Sequence, residues 1–166
     1  MCHNILPTAA EKKSREKNKS LVKSFIEEIF NEHNLSSFEN YFGEGATYDS
    51  PYSGNCVHEF KQSLVQFFTT FPDWHTTIEH MVAEDNLVMV FLNGSGTYKV
   101  KFRGLPSTNR LVNIRSADLY KIDNERITEH WDVVDQLNLL KQTGASLSEC
   151  SDEELKNARV VWFHEY

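Results

Sequence analysis

The sequence predicts an α+β fold, in which three N-terminal helices pack on a strongly curved antiparallel sheet that encloses a cavity. Three observations carry this. Apolar residues recur at helical spacing in three segments before residue 72. Pro72 closes the last of them. Beyond it the period changes to two, in β-branched and aromatic runs separated by short turns. Helices followed by hairpin-linked strands is the order of an α+β domain. A sheet curled over helices makes a cone, and the interior of a cone suits a small molecule.

The elements follow in order. Residues 1–17 are expected to be disordered or loosely helical, a flexible arm with the basic cluster EKKSREKNK solvated in it. SLVKSFIEEIFNEHN (20–34) is a helix with Ser20 as N-cap, gathering Leu21, Val22, Phe25, Ile26, Ile29 and Phe30 on one side. LSSFENYF (35–42) offers a second, short helix, and a short β run follows at Ala46 to Tyr48. In the third helix, 57–71, Phe60, Leu64, Phe67, Phe68 and Phe71 stand three or four apart. Two strands then meet at a turn over Glu84–Asn86, and residues 102–110 form a loop with Gly104 and Pro106. LVNIRSADLYKI (111–122) alternates as a long strand, DNER turns, and ITEHWDVV is the last strand. DQLNLLKQTG (135–144) is a short helix closed by Gly144. Residues 145–166 form a C-terminal extension, in which SDEE begins a late helix as a capping box. The main domain is thus expected over 18–144.

Composition limits the function classes. A chain of 166 residues, 40% hydrophobic and 25% charged, is long enough for one real core. A net charge of −7 argues against nucleic acid as partner, because phosphates call for a concentrated basic face. No stretch approaches the length of apolar sequence that a membrane span needs. Cys2, Cys56 and Cys150 are odd in number and far apart, which reads as reduced thiols in a cytoplasmic protein. His75 and His80 fall on opposite faces of a strand and make a poor metal pair, so no metal is expected.

FPDWHTTIEHMVAEDNLVMV, and GTYKVKFRGLPSTNRLVNIRSADLYKIDNERITEHWDVVDQLNLLKQTG after it, together with the preceding helix, resemble the SnoaL-like polyketide cyclase (ester cyclase-like) family of the nuclear transport factor 2-like superfamily. The resemblance covers about residues 20–144. It implies a cone with a deep apolar cavity, a homo-oligomer such as a dimer, and aldol cyclisation or isomerisation of a small carbonyl compound without metal or organic cofactor. The family's general acid/base, an aspartate at the end of the last strand, matches Asp132. A second polar position on the preceding strand matches Asp118, and an Asn of the first short strand matches Asp49. A His common in the family is Tyr98 here. The key acid is kept and several polar neighbours differ.

The residues themselves support such a site. With strict alternation, Thr128, His130 and Asp132 share one face of the last strand, and Ile127, Glu129 and Trp131 the other. On the strand before it, Val112, Ile114, Ser116, Asp118 and Tyr120 share a face. If both polar faces look inward, Asp118 and Asp132 meet in an apolar interior, where one holds a proton and the other acts as base. His130 is either a proton shuttle or a structural histidine. Tyr48, Tyr98 and Phe102 either line the cavity, beside Asp49 and Ser116, or pack in the core. Asp135 reads as a helix cap, whereas for Asp132 both a cap and a pocket acid stand. Limonene-type epoxide hydrolysis calls for an Arg among acids on one strand face, and Arg115 and Asp118 face opposite ways. Isomerase chemistry of the ketosteroid type, drawing on Tyr48, Asp49, Tyr98 and Asp118, is a relative of the main reading. The alternatives are a non-catalytic small-molecule-binding module and a dimeric interaction protein of the same fold.

Overall fold

The computed structural model describes residues 7–49, 56–101 and 106–143. Helix α1 spans Ala9–Phe25 and begins well before Ser20. Its N-terminus is a capping box: the Glu11 amide donates to Thr8 Oγ1 at 3.3 Å, and the Thr8 amide donates to Glu11 Oε2 at 2.6 Å. Ser20 is therefore not a cap but an interior residue whose hydroxyl donates to the Glu16 carbonyl. The basic cluster is helical and mostly exposed, and two of its side chains reach the sheet. Arg15 reaches Asp85 at 3.5 Å and Lys17 pairs with Glu125, so α1 lies across two hairpin turns. Sequence reading missed this because the partners are far away in the chain and lie in turns whose placement only the sheet decides.

The helix continues as a π-helical segment, Ile26–Asn31. Val22, Phe25, Ile26 and Ile29 are buried on its inner side, the stripe expected from the spacing. The second expected helix is only a 3-10 turn, Phe38–Tyr41, which drives Phe38 into the core. Helix α2 spans Val57–Thr70 and buries Phe60 and Leu64.

Five strands form one sheet: β1 (Phe42–Asp49), β2 (His75–Glu84), β3 (Leu87–Thr97), β4 (Leu111–Asp123) and β5 (Arg126–Val134). Their order is β1-β5-β4-β3-β2. The last four pair as an antiparallel meander, but β1 pairs with β5 in parallel, so the sheet is mixed rather than wholly antiparallel. The long excursion through α2 and three strands gives the chain room for that parallel return. The hairpin turns hold non-glycine residues in left-handed conformation, Asp85 in one and Asn124 and Glu125 in the other. Bulges interrupt β2 between Ile78 and His80, and the β4–β5 ladder at Thr128, adding twist that curls the sheet over its helices.

Two apolar clusters fill the concave side. The larger joins α1, the π segment and α2 to Val88, Val90, Tyr120, Ile122 and Ile127. The smaller joins Phe71, Trp74, Tyr98, Val112 and Ile114. Trp74 lies flat across Gly94 and Gly96, where any side chain on the strand would collide with its ring. Helix α3 (Gln136–Thr143) follows β5 at once. Asp135 caps it, its Oδ1 accepting from the Asn138 amide at 3.1 Å. The Gln142 side chain ties the helix to both backbone groups of Asn113 on β4. None of the described helices is long and apolar enough to cross a membrane. The late helix expected after residue 144 lies outside the described residues.

Candidate active site

The site is built where β1, β5 and β4 lie side by side. Near the β4–β5 turn Ile122 pairs with Ile127 and Asp123 with Arg126. Thr128 then bulges, and from Lys121–Glu129 onward the register is displaced by one. This overturns the strict alternation expected of β5. Ile127 is buried on the same side as His130, not with Glu129 and Trp131. The bulge is what brings Asp132 directly opposite Asp118, and His130 opposite Tyr120. On its other side His130 pairs with Tyr48 of β1.

Two rows result on the concave face. In the first, His130 lies between two tyrosine rings, 4.3 Å from Tyr120 and 4.8 Å from Tyr48, tilted by only 12° and 32°. Phe60 of α2 stacks on Tyr48 at 3.9 Å and also meets His130 at 5.5 Å. The second row holds the acids. Tyr48 donates its hydroxyl to Asp132 Oδ2 at 2.7 Å. Tyr120 donates to Asp118 Oδ2 at 3.2 Å, and Ser116 donates to Asp118 Oδ1 at 2.7 Å. His130 Nε2 lies 3.3 Å from Asp118 Oδ2, which makes Nε2 the donor. Its Nδ1 is buried and has no hydrogen-bond partner among the described residues.

Burial separates the two acids. Asp118 is 6% exposed and His130 1%, while Asp132 is half-buried. Burial, and next the charge of Asp118, push the Tyr120 phenol well above its ordinary range. It therefore remains a hydrogen-bond donor throughout the working pH range.

The other expected residues divide. Ser116 joins the site through Asp118. Asp49 does not: it follows Tyr48 directly, so it points to the opposite face and is exposed, beside Trp131. Tyr98 is buried in the smaller cluster, stacked on Phe71 at 5.5 Å, rather than beside the acids. Phe102 lies outside the described residues. Arg115 pairs with Glu79 on the convex face, away from Asp118. Among the described residues no cluster of His, Cys, Asp and Glu could hold a metal ion. A groove of about 490 Å³ between the π segment and β2, lined by Lys23, Glu27, Asn31, His75 and Thr77, includes none of the acid-site residues.

Sequence reasoning missed Tyr120 and Phe60 as parts of the site. Tyr120 carried a usable signal, standing two residues from Asp118 on the same strand face. Phe60 carried none beyond its place on the apolar stripe of α2.

The arrangement resembles known proteins. The model of the SnoaL-like polyketide cyclase family matches residues 20–143. TsrD from Streptomyces laurentii superposes with a TM-score of 0.72 at 20% identity, over 80% of this chain and 98% of that one. A putative polyketide cyclase from Acidithiobacillus ferrooxidans gives 0.68 at 24% identity, over 77% and 94%. IdmH, a putative polyketide cyclase from Streptomyces antibioticus, gives 0.68 at 22% identity, over 76% and 98%. At these identities the likeness is one of fold. No curated protein matches the chain.

Proposed function

The chain belongs to the SnoaL-like polyketide cyclase family, and from that premise we propose that it is a cofactor-independent cyclase or isomerase acting on a small, largely apolar, polyketide-like carbonyl compound. The observation that carries the reading is the half-buried Asp132 at the end of β5, held by the Tyr48 hydroxyl and facing Asp118 across the ladder. Asp132 is the catalytic acid/base. As a carboxylate it takes the proton from a carbon next to a carbonyl, and the C–H electron pair becomes the enolate. In a cyclase the enolate carbon attacks a second carbonyl of the same molecule, closing a C–C bond. The resulting alkoxide recovers the proton from Asp132, and the enzyme ends unchanged. In an isomerase the proton returns to a different carbon. Acid/base help of this kind is worth on the order of 10²–10⁴ in rate. Asp118 and His130, buried beneath, do not meet the substrate; they shape the field and geometry around Asp132.

Asp132→Asn tests this against a panel of polycyclic ketones and keto-esters. The expected result is loss of turnover by at least about a hundredfold with the fold and ligand binding retained. Turnover unchanged in that variant refutes the assignment.

A second copy of the chain covers the convex face in this reading. The strand register there sets Val82, Met89, Leu119 and Trp131 in one row and Phe91, Ala117 and Val133 in the next. Val82, Val133 and Met89 are 64%, 59% and 42% exposed, a patch of the kind that marks an interface. Sedimentation of the protein and of its Phe91→Glu/Val133→Glu form checks it: a dimer that becomes a monomer supports the interface, and a monomer in both removes it.

A further inference from the structure

We propose that Tyr48 is a positioning residue that keeps Asp132 available as a base, rather than a contact for the substrate. The geometry works against Asp132 in one respect. Asp118 stands directly across the ladder, its carboxylate accepting from Ser116, Tyr120 and His130. A negative charge so placed favours the protonated form of its neighbour, in which Asp132 cannot take a proton from carbon. Tyr48 supplies the compensation. Its hydroxyl donates to Asp132 Oδ2 at 2.7 Å, and a hydrogen bond to the charged form of an acid stabilises that form.

The donor is also immobile. Tyr48 is 4% exposed, and its ring is packed against both Phe60 and His130, which also meet each other. His130 is itself stacked on Tyr120 and bonded to Asp118. The phenol therefore cannot swing out to meet a ligand without opening the whole stack, which is why it serves the acid instead. The row and the acid pair form one unit: each tyrosine flanking the imidazole donates to one of the two carboxylates, Tyr48 to Asp132 and Tyr120 to Asp118. The titratable groups facing Asp132 from the described elements around it are Tyr48 of β1, Asp118 and Tyr120 of β4, and His130 of its own strand; α2 presents the apolar Phe60.

The test is a titration of the side-chain carboxyl carbons by NMR in the full-length protein labelled at aspartate, with the Asp132 signal assigned from Asp132→Asn. Tyr48→Phe removes the hydroxyl and retains the ring, and with it the stack. The expected result is that the Asp132 midpoint rises by about one to two pH units, the size of one lost hydrogen bond to a charged group. Tyr120→Phe, which removes the donor to Asp118, leaves the Asp132 midpoint within a few tenths of a unit or lowers it. In the unsubstituted protein the Tyr48 ring signals follow the Asp132 titration. An Asp132 midpoint unmoved by Tyr48→Phe, equal upward shifts in both variants, or Tyr48 signals indifferent to the Asp132 titration overturns the proposal. The catalytic meaning of the coupling rests on the reading of Asp132 as acid/base, but the titration does not. Activity surviving Asp132→Asn would remove that reading and leave the Tyr48–Asp132 coupling standing, so the two failures are distinguishable.

Discussion

Gly94→Ala puts the packing of the smaller cluster to a quantitative test. A Cβ on Gly94 would lie 2.1 Å from Cζ2 of Trp74, with Cε2 at 2.8 Å and Cη2 at 2.9 Å. The colliding atoms belong to a rigid indole, not to the free end of a flexible chain. That indole is 8% exposed and tied through Nε1–H to Thr76 Oγ1 at 2.9 Å. The strand has no room to recede, because Gly94 is paired with Thr76 on one side and Ile114 on the other. Overpacking that a core can partly absorb costs about 1–3 kcal/mol. Expelling a tryptophan costs about as much as deleting it, roughly 3–5 kcal/mol. The overlap here is deep, so we expect a loss of about 3 kcal/mol in urea unfolding followed by circular dichroism, and a fall in Tm of roughly 10 °C. The double-mutant cycle is decisive. In a Trp74→Ala background the added methyl meets no ring, and Gly94→Ala becomes neutral or gains about 0.5–1 kcal/mol from reduced chain entropy. An equal cost in both backgrounds would show that the ring–glycine contact is not the source of the effect.

Two further predictions follow from the site and its surroundings. Deleting Thr128 removes the one unpaired residue and leaves Glu129, His130 and Asp132 opposite Lys121, Tyr120 and Asp118, so the acid pair and turnover should be retained; loss of turnover with near-native unfolding would refute the view that the bulge serves only to absorb one residue. Asp73 accepts from the Thr97 amide and hydroxyl, and these bonds hold its carboxyl below the usual range. A depressed folded-state value stabilises the protein above the unfolded value of about 4 and ceases to do so as pH falls through the folded one. Acid unfolding between about pH 4 and pH 2 should therefore be less steep in Asp73→Asn than in the unsubstituted protein. Identical pH profiles would mean that the clamp contributes nothing measurable.

The sequence makes the element order legible because the change of period at Pro72 is strong and local. Helix α2, the two hairpins, and the capping role of Asp135 all follow from neighbours within a few residues. What escapes is decided by pairing over long distances. The start of α1 at Ala9 depends on a capping box that is visible in TAAE, yet the basic run after it reads as a tail until Asp85 and Glu125 are placed opposite it. The parallel pairing of β1 is invisible in a Gly-rich segment with no strong alternation. Asp49 shows a different limit. A likeness at a strand position carries a residue type across, but the face it occupies is set by local register, and here Tyr48 takes the inward place.

The register of β5 is the most instructive case. Counting back from the Asp123–Arg126 pair without a bulge sets Asp118 opposite Trp131, with Asp132 turned to the convex face. A single extra residue at Thr128 reverses the outcome, because strand side chains alternate with a period of two. Nothing in Ile127–Asp132 marks Thr128 as the residue that bulges; what selects it is burial at both ends. Ile127 has to fill the core beneath α1, and His130 has to enter the space between Tyr48 and Tyr120. Two inward residues three apart cannot both be met by regular alternation, so the strand absorbs one residue between them. The apolar demand of the core therefore fixes the parity of the acids. Asp132 faces the cone as a consequence of where Ile127 and His130 are buried, which ties the chemistry of the site to the packing of the sheet that carries it.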